Sequence, residues 1–577
     1  MGIENWSPLK RGIVLVVLTV GFLVLYSYIM QKWFPPPPVS APGPSQPVKS
    51  AAGSPPPTPP PEGEETWPPS PIAADRVQTF HVRTQVFDVT GTNRGGYPTS
   101  WKLLRYKDLH GQPLELIPQY ASAWRPLRIL DAEGRPIDRL DQALYRTDLQ
   151  TRPDGTVQLT LEYADAVDWV RKRMVFRPDA YHVDLQVLYR SRSASGTRVY
   201  LVWAPGLEHS TPQERKAAGW SFHAVSGLYR DDKARGVGRK KDLHDIREGL
   251  HARWVGLHSN YFLVAFLAPD ATTLPGALFS THVLGAPPGQ KWPDPPPAEL
   301  EANLDVLMVL GVPLRPGEPA RWTLYVGPKD LGILTAVDPT LGEAIQYGMF
   351  GFIAKGLLAL LKFCYRLIPN YGVAIILATL LVRLLLWPLS HRMFINSEKM
   401  KAVQPKIKAL QEKYKGIPLR DPRRQKMNEE LMRIYREHGV NPMSGCLPLL
   451  LQLPILFAFY NLLSVSIELR QAPFVLWIRD LSRPDPYLIT PILMGITMIL
   501  QQKLTPTTMD PTQQRLGYLM SGLFVFMFMN AQSGLVLYWL FSNVFSIAQQ
   551  YLYHRFYFRT TPAESVRRQR LKATQAG

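Results

Sequence analysis

VAIILATLLVRLLLWPL, residues Val373–Leu389, decides how this chain is read. It has the composition of a membrane-spanning helix, yet Arg383 sits inside it. If the helix ended before the arginine, too few apolar residues would remain for a bilayer core that needs roughly 20. Arg383 is therefore expected to enter the hydrocarbon region, where a charged side chain costs at least about 2.5–3.5 kcal/mol and is by default a functional-site candidate. Two fates are open to it. Its long stem can snorkel to the nearest interface, or its guanidinium can face a wet cavity inside a helix bundle. His391 and Arg392 already mark the helix end two turns further on, which favours the cavity.

The charges around this helix orient the rest of the chain. One apolar run precedes it, at residues 12–31, and four follow, at residues 447–465, 486–502, 516–532 and 534–553. With residues 371–390 they make six expected transmembrane helices. Residues 391–446 carry roughly two Lys or Arg for every acid, and residues 503–515 and the tail 554–577 are also basic. The positive-inside rule puts all three in the cytoplasm, together with residues 1–11, and leaves residues 466–485 outside. The first run is longer than the 7–15 residues of a signal-peptide core and no A-x-A site follows it, so it reads as an uncleaved anchor. Within 391–446, Met400, Val403, Ile407, Leu410 and Tyr414 step by three and four, as do Met427, Leu431 and Ile434. Gly416 and Pro418 break the first helix and Asp421-Pro422 starts the second, which gives a helical hairpin.

The front half is different. Residues 32–75 form a Pro-rich extended spacer. Residues 76–330 alternate in short runs, among them Thr79–Val89, Val157–Tyr163, Tyr181–Tyr189, Tyr261–Ala268 and Trp322–Val326, with turns such as Asp154-Gly155 between them. That pattern predicts an all-β sandwich. It follows a helix that leaves the cytoplasm, so it is expected outside. Residues 341–368 set Lys355, Lys362 and Arg366 on one face, the pattern of a helix lying in the interface. If this segment spanned, the basic loop 391–446 would move outside, against the charge rule. The fold class is thus a polytopic α-helical membrane protein with an extracytoplasmic β-sandwich domain.

The net charge of +19 lies largely beside apolar segments, where it sets orientation and meets anionic lipid rather than nucleic acid. The two cysteines, Cys364 and Cys446, fall near opposite membrane faces, so neither a disulfide nor a zinc site is expected. The spans hold no Asp or Glu, and the chain has no HExxH, G-x-S-x-G or Walker loop. An intramembrane protease or an ATP-driven pump lacks its groups. A small-molecule transporter or channel is the alternative reading, and the missing buried acids count against it. No catalytic residue, cofactor or metal is expected, and the chain reads as a non-enzyme. What remains is one cation and neutral polar groups: Arg383, Thr379 one turn earlier, Gln452, Asn461, Ser542 and Asn543. Gln452 and Asn461 can be interhelical hydrogen-bond glue or the wall of a wet groove around Arg383. Met494, Met498, Met520, Met527 and Met529 offer either core packing or a soft surface for varied helices.

The last third resembles the YidC/Oxa/Alb membrane protein insertases. The strings that carry the resemblance are LVRLLLWPLS (Leu381–Ser390), MKAVQPKIKALQEK (Met400–Lys413), VNPMSGCLPLLLQLPI (Val440–Ile455), ELRQAPFVLWIRDLS (Glu468–Ser482), DPYLITPILMGITM (Asp485–Met498) and SGLVLYWLFSN (Ser533–Asn543). The anchor, spacer and β domain resemble the Gram-negative form, whose periplasmic domain is a β-supersandwich. The resemblance implies a non-enzymatic insertase of the bacterial inner membrane, working alone or beside the Sec translocon. It places the groove arginine on Arg383, the threonine one turn earlier on Thr379 and the groove glutamine on Gln452. It places client-facing positions on Leu453, Pro454 and Trp539, the last a departure from the family's frequent Tyr that keeps the aromatic character, and counts the neighbouring Tyr538 in the groove. It gives nascent membrane proteins as clients, and it links the cytoplasmic hairpin and the basic tail to the ribosome.

Overall fold

A computed structural model of the chain describes residues 66–108, 110–118, 124–193, 198–207, 225–237, 244–269, 272–283, 306–414, 421, 423–439, 447–504 and 511–553. The expected anchor at 12–31, most of the spacer, Cys446 and the tail 554–577 lie outside these residues.

Period-two alternation builds the front half. In chain order the strands are β1 (Thr79–Arg83), β2 (Phe87–Thr92), β3 (Tyr97–Lys107), β4 (Pro113–Glu115), β5 (Arg128–Leu130), β6 (Arg146–Thr151), β7 (Val157–Ala164), β8 (Asp168–Phe176) and β9 (His182–Ser191). They continue as β10 (Val199–Trp203), β11 (Ser226–Arg230), β12 (Ala234–Val237), β13 (His244–Ala252), β14 (Trp254–His258), β15 (Phe262–Leu267), β16 (Leu274–Val283), β17 (Val306–Leu314) and β18 (Ala320–Pro328). Three sheets result, ordered β1-β2-β3-β4, β13-β16-β17-β10-β5 and β12-β11-β14-β15-β18-β9-β8-β7-β6. Their inner faces share one core in which Trp101, Trp203 and Trp254 are fully buried. Trp101 meets Phe87 edge-on at 5.5 Å and Trp203 at 5.5 Å, the arrangement that ring quadrupoles favour. The domain begins earlier than expected. Trp67 and Ile72, assigned above to the spacer, pack against Ala164, Trp169 and Leu188.

After residue 350 the described helices are α1 (Gly351–Leu367), α2 (Tyr371–Leu385), α3 (Trp387–Lys413), α4 (Arg423–Glu437), α5 (Leu447–Val465), α6 (Ile489–Leu504), α7 (Pro511–Phe528) and α8 (Ser533–Leu552). The span expected at 371–390 breaks at Leu386, and a second helix starts at Trp387 with Pro388 in its first turn. Proline has no N–H to give and its ring crowds the carbonyl four residues back, so the first helix stops. α3 then runs on into the hairpin, where Met400, Val403 and Ile407 pack against Leu431, Ile434 and Tyr435 of α4. Asp421 caps α4 by accepting from the backbone N–H of Arg423 at 2.8 Å.

The six expected spans are not shown. Among the described residues no single helix is long and apolar enough to cross a membrane. The pair α1 and α2 passes together, bent by 120°. The reasons are local. α2 is cut at Leu386, α6 has 16 residues, and α8 is diluted by Tyr538, Trp539, Ser542, Asn543, Gln549 and Gln550. α8 packs against α2, α5 and α6, and its first eight residues are all buried. Small residues bring these helices together, as they do where lipid supplies no hydrophobic drive. A Cβ on Gly495 of α6 would lie 2.2 Å from Val525 Cγ2 of α7, and one on Gly534 of α8 would lie 3.0 Å from Leu463 Cδ2 of α5.

Candidate functional site: a polar cluster between α2, α5 and α8

α2 starts on a side-chain cap. Asn370 Oδ1 accepts from Val373 N at 3.1 Å, and Asn370 Nδ2 donates to the Phe474 carbonyl at 2.9 Å. Twelve residues after Tyr371, or about 18 Å at 1.5 Å per residue, the last turn of α2 presents Arg383. Its guanidinium turns toward α8. Nε donates to Ser542 Oγ at 3.2 Å, and one terminal nitrogen donates to the same oxygen. Gln452 of α5 completes the cluster. Its Nε2 donates to the Tyr538 hydroxyl and lies 3.5 Å from Ser542 Oγ. Tyr538 and Ser542 are four residues apart on α8 and so share a face. Phe459, two turns after Gln452, stacks on the Tyr538 ring at 4.2 Å.

The structure brings some of the expected residues to Arg383 and leaves others apart. Gln452 and Tyr538 join Arg383 around Ser542. Thr379 does not. It is 1 % exposed, and its hydroxyl donates to Ile375 O at 2.6 Å within its own helix. Trp539 sits one residue, and so about 100°, round from Tyr538. It packs on Phe524 and Phe528 of α7 at 5.4 and 5.2 Å. Leu453 and Pro454 are half-buried on α5, and Leu453 packs against the core. Asn461 lies away from the cluster, against Gly348. Asn543 Nδ2 donates to Thr497 Oγ1 of α6 at 3.2 Å. Ser542 is the partner that the sequence named as a polar residue but did not attach to Arg383. The available signal was its four-residue spacing from Tyr538. Met494 is buried in the core, while Met520 and Met527 are exposed.

The cluster can bind an anionic group or hold water. Arg383 has no carboxylate partner among the described residues, and no group of three or more His, Cys, Asp or Glu there could hold a metal. At the opposite end of the bundle, next to the β domain, two buried amides meet Ser464. Gln532, fully buried, donates from Nε2 to Ser464 Oγ at 2.8 Å, and Asn260 Nδ2 of the β domain donates to the Ser464 carbonyl at 3.0 Å.

The family described as "60Kd inner membrane protein" matches residues 363–560, and the family described as "YidC periplasmic domain" matches residues 79–360. A protein of Geobacter metallireducens named "Membrane protein insertase YidC" is 35% identical over 557 residues, covering 94% of this chain and 97% of its own length. One of Nitratidesulfovibrio vulgaris (strain DP4) with the same name is 34% identical, covering 94% of this chain and 98% of its own. Among solved structures, "Active YidC insertase crystal structure with the first transmembrane domain resolved" covers 83% of this chain and 93% of its own, at 18% identity and a TM-score of 0.35.

Proposed function

The chain belongs to the YidC family of membrane protein insertases, and from that premise we propose that it moves the polar tails of client helices through the cluster around Arg383. It is a membrane protein insertase of the bacterial inner membrane with a periplasmic domain. The alternative of a small-molecule transporter or channel finds no support among these relatives.

The observation that carries the mechanism is the state of Arg383. It is a half-buried cation in an otherwise apolar helix, held by one neutral hydroxyl. Its remaining N–H groups need acceptors, and an acidic or hydrated client tail supplies them. Gln452 and Tyr538 extend the polar path. The six-span topology, with both termini and the hairpin cytoplasmic, is part of the proposal. In it α2 runs from the periplasm inward, so Arg383 lies toward the cytoplasmic end and Gln532, Ser464 and Asn260 seal the periplasmic end. α1 lies along the interface, which fits its 120° bend from α2 and its exposed Phe352, Phe363 and Leu367. A tail entering from the cytoplasm then crosses only part of the apolar thickness before the client helix partitions into lipid past Leu453 and Pro454. Leu519, Leu523 and Phe526 of α7 present an exposed apolar face to such a helix. No step calls for a cofactor or a nucleotide. Exposed Lys399, Lys408 and Arg433 on the hairpin support contact with ribosomal RNA or headgroups, and cooperation with the Sec translocon follows from family membership alone.

The test is reconstitution. Purified protein in liposomes is expected to carry the N-terminal tail of a single-span client into the lumen, where added protease cannot reach it. A thiol probe on Arg383→Cys is expected to react from the cytoplasmic side only. Solute flux without client insertion, or reaction from the periplasmic side, would overturn the reading.

A further inference from the structure

We propose that the turn Phe474–Trp477 is a membrane anchor whose apolar tip, Val475 and Leu476, sits among the acyl chains of the leaflet on the β-domain side. The inference rests on the reading above that α2 and α6 cross the bilayer, and it adds a lipid contact that the insertion mechanism does not use.

Leu476 is 83 % exposed and Val475 48 %. Single exposed apolar residues are ordinary on a protein surface, but this pair is presented on a braced scaffold. Phe474 N donates to Ile478 O at 2.9 Å and Ile478 N to Val475 O at 3.2 Å. Asp480 Oδ1 accepts from Gln471 N at 3.0 Å and Ser482 N at 2.9 Å. Leu476 itself is held at φ 55°, a left-handed conformation that residues with a Cβ seldom adopt. Exposure and backbone strain are both unfavourable in water, and lipid around the side chain removes the first.

The position of the turn names the occupant. Phe474 covers Gly372, where a Cβ would lie 2.0 Å from Phe474 Cδ2, so the turn is fixed to the first turn of α2. That is the level at which α2 enters the membrane in the proposed topology. α1 is tied to the same loop by Lys362 and Glu468 at 2.6 Å. Phe363 and Leu367 of α1 are also exposed. α6 leaves the loop with Ile492 and Ile496 exposed. Trp477 meets Tyr487 edge-on at 6.3 Å and anchors its indole N–H on Asp485 at 3.0 Å, and Arg479 is exposed beside the tip. An apolar tip backed by Trp, Tyr and Arg is the composition of a headgroup boundary.

The experiment uses the full chain with Cys364→Ala and Cys446→Ser, in vesicles of phosphatidylethanolamine and phosphatidylglycerol. An environment-sensitive fluorophore is placed on Leu476→Cys, on Ile496→Cys as a label in the proposed span, and on Gln85→Cys as an exposed β-domain label. Lipids spin-labelled near the headgroup or at mid-chain, and aqueous iodide, serve as quenchers. The expected result is several-fold stronger lipid quenching at position 476 than at 85, with protection from iodide. Iodide quenching at 476 equal to that at 85, or protection at 476 from both quenchers (a protein partner covering the tip), would overturn the anchor while quenching at 496 by mid-chain spin label leaves the spanning reading intact. If 496 also escapes the lipid quencher, the spanning reading fails and the anchor with it.

Discussion

Arg383→Ala, compared with Arg383→Lys, tests the charge at the centre of the cluster. The guanidinium donates to Ser542 and to no carboxylate among the described residues, so its field is available to a client. At about 8 Å and an effective dielectric constant of about 20, an acidic client residue gains roughly 2 kcal/mol from it. That is about a 30-fold change in occupancy. The assay is initial insertion rate in proteoliposomes, read as protease protection of client tails bearing zero, one or two Asp. The alanine variant is expected to lose about 30-fold for a one-Asp tail relative to the parent and little for a neutral tail. The lysine variant retains the charge but not the forked geometry, so it is expected to keep most of the acid dependence. Equal ratios of acidic to neutral insertion in parent and alanine variant would refute the charge argument and leave only hydration of the cluster.

Three further outcomes follow from contacts elsewhere. Gly372→Ala drives a Cβ to within 2.0 Å of Phe474. Such overpacking costs about 1–3 kcal/mol, read as a lower Tm in detergent, and the loss should shrink in a Phe474→Leu background. Asp485, 1 % exposed, accepts from Trp477 Nε1, Tyr487 N and both donors of Thr490. Asp485→Asn weakens hydrogen bonds worth about 1.5–3 kcal/mol when charged, so amide exchange at Tyr487 and Thr490 should accelerate. In the β domain, burial pushes the Lys172 ammonium down to about 7, with Asp141 opposing and Arg128 assisting. The unfolded chain then binds more protons than the folded one between about pH 7 and the ordinary lysine value near 10.5, so stability rises with pH across that window. The slope is at most about 1.4 kcal/mol per pH unit. Lys172→Met should flatten it in urea titrations followed by near-UV circular dichroism, and an unchanged slope would contradict the burial.

Lys172 also shows why part of the fold could not be read from the chain. β8 carries Arg171, Lys172 and Arg173 in succession and is not among the alternating runs quoted above, yet Lys172 points inward and donates to the carbonyls of Gly95 and Gly96 at 3.2 and 2.9 Å. Those acceptors are some 76 residues away, and no local pattern announces them. β7, by contrast, alternates cleanly, and its run was legible to within a residue. The same division holds in the helices. Arg383 announced itself because charge in an apolar run is costly whatever surrounds it. Its partner did not, because Ser542 is ordinary until α8 is laid against α2. The choice between Tyr538 and Trp539 as the aromatic beside the arginine turns on about 100° of helix rotation. Only the packing of α8 decides it. The two-part helix at Leu386 was hidden because Pro388 reads equally well as a terminus.

How the bundle opens can be argued from what holds each end of α8. At the β-domain end, the Ser533 N–H and hydroxyl donate to Arg483 O at 2.7 and 2.6 Å, Gly534 N donates to Leu481 O at 3.0 Å, and the buried Gln532 amide holds Ser464. Opening there breaks several buried hydrogen bonds at once, each leaving a polar group with a desolvation cost of about 1–3 kcal/mol. Toward the far end, past the Gln452–Tyr538 and Asn543–Thr497 pairs, α8 meets the half-buried cation through one hydroxyl and sets the ring of Tyr553 against Trp387, His391 and Phe394 at 5.5, 5.1 and 4.9 Å. Those three residues ride on α3, which joins α2 through the single non-helical residue Leu386. Rotation about one residue separates α3 from Tyr553 and leaves the hydrogen bonds of the β-domain end in place. Backbone amides of residues 389–394 are therefore expected to exchange with deuterium before those of 535–540 in the full chain in vesicles, and the order should persist when Tyr553→Ala speeds the former. The reverse order would place the moving part at the β-domain end and refute an opening hinged at Leu386.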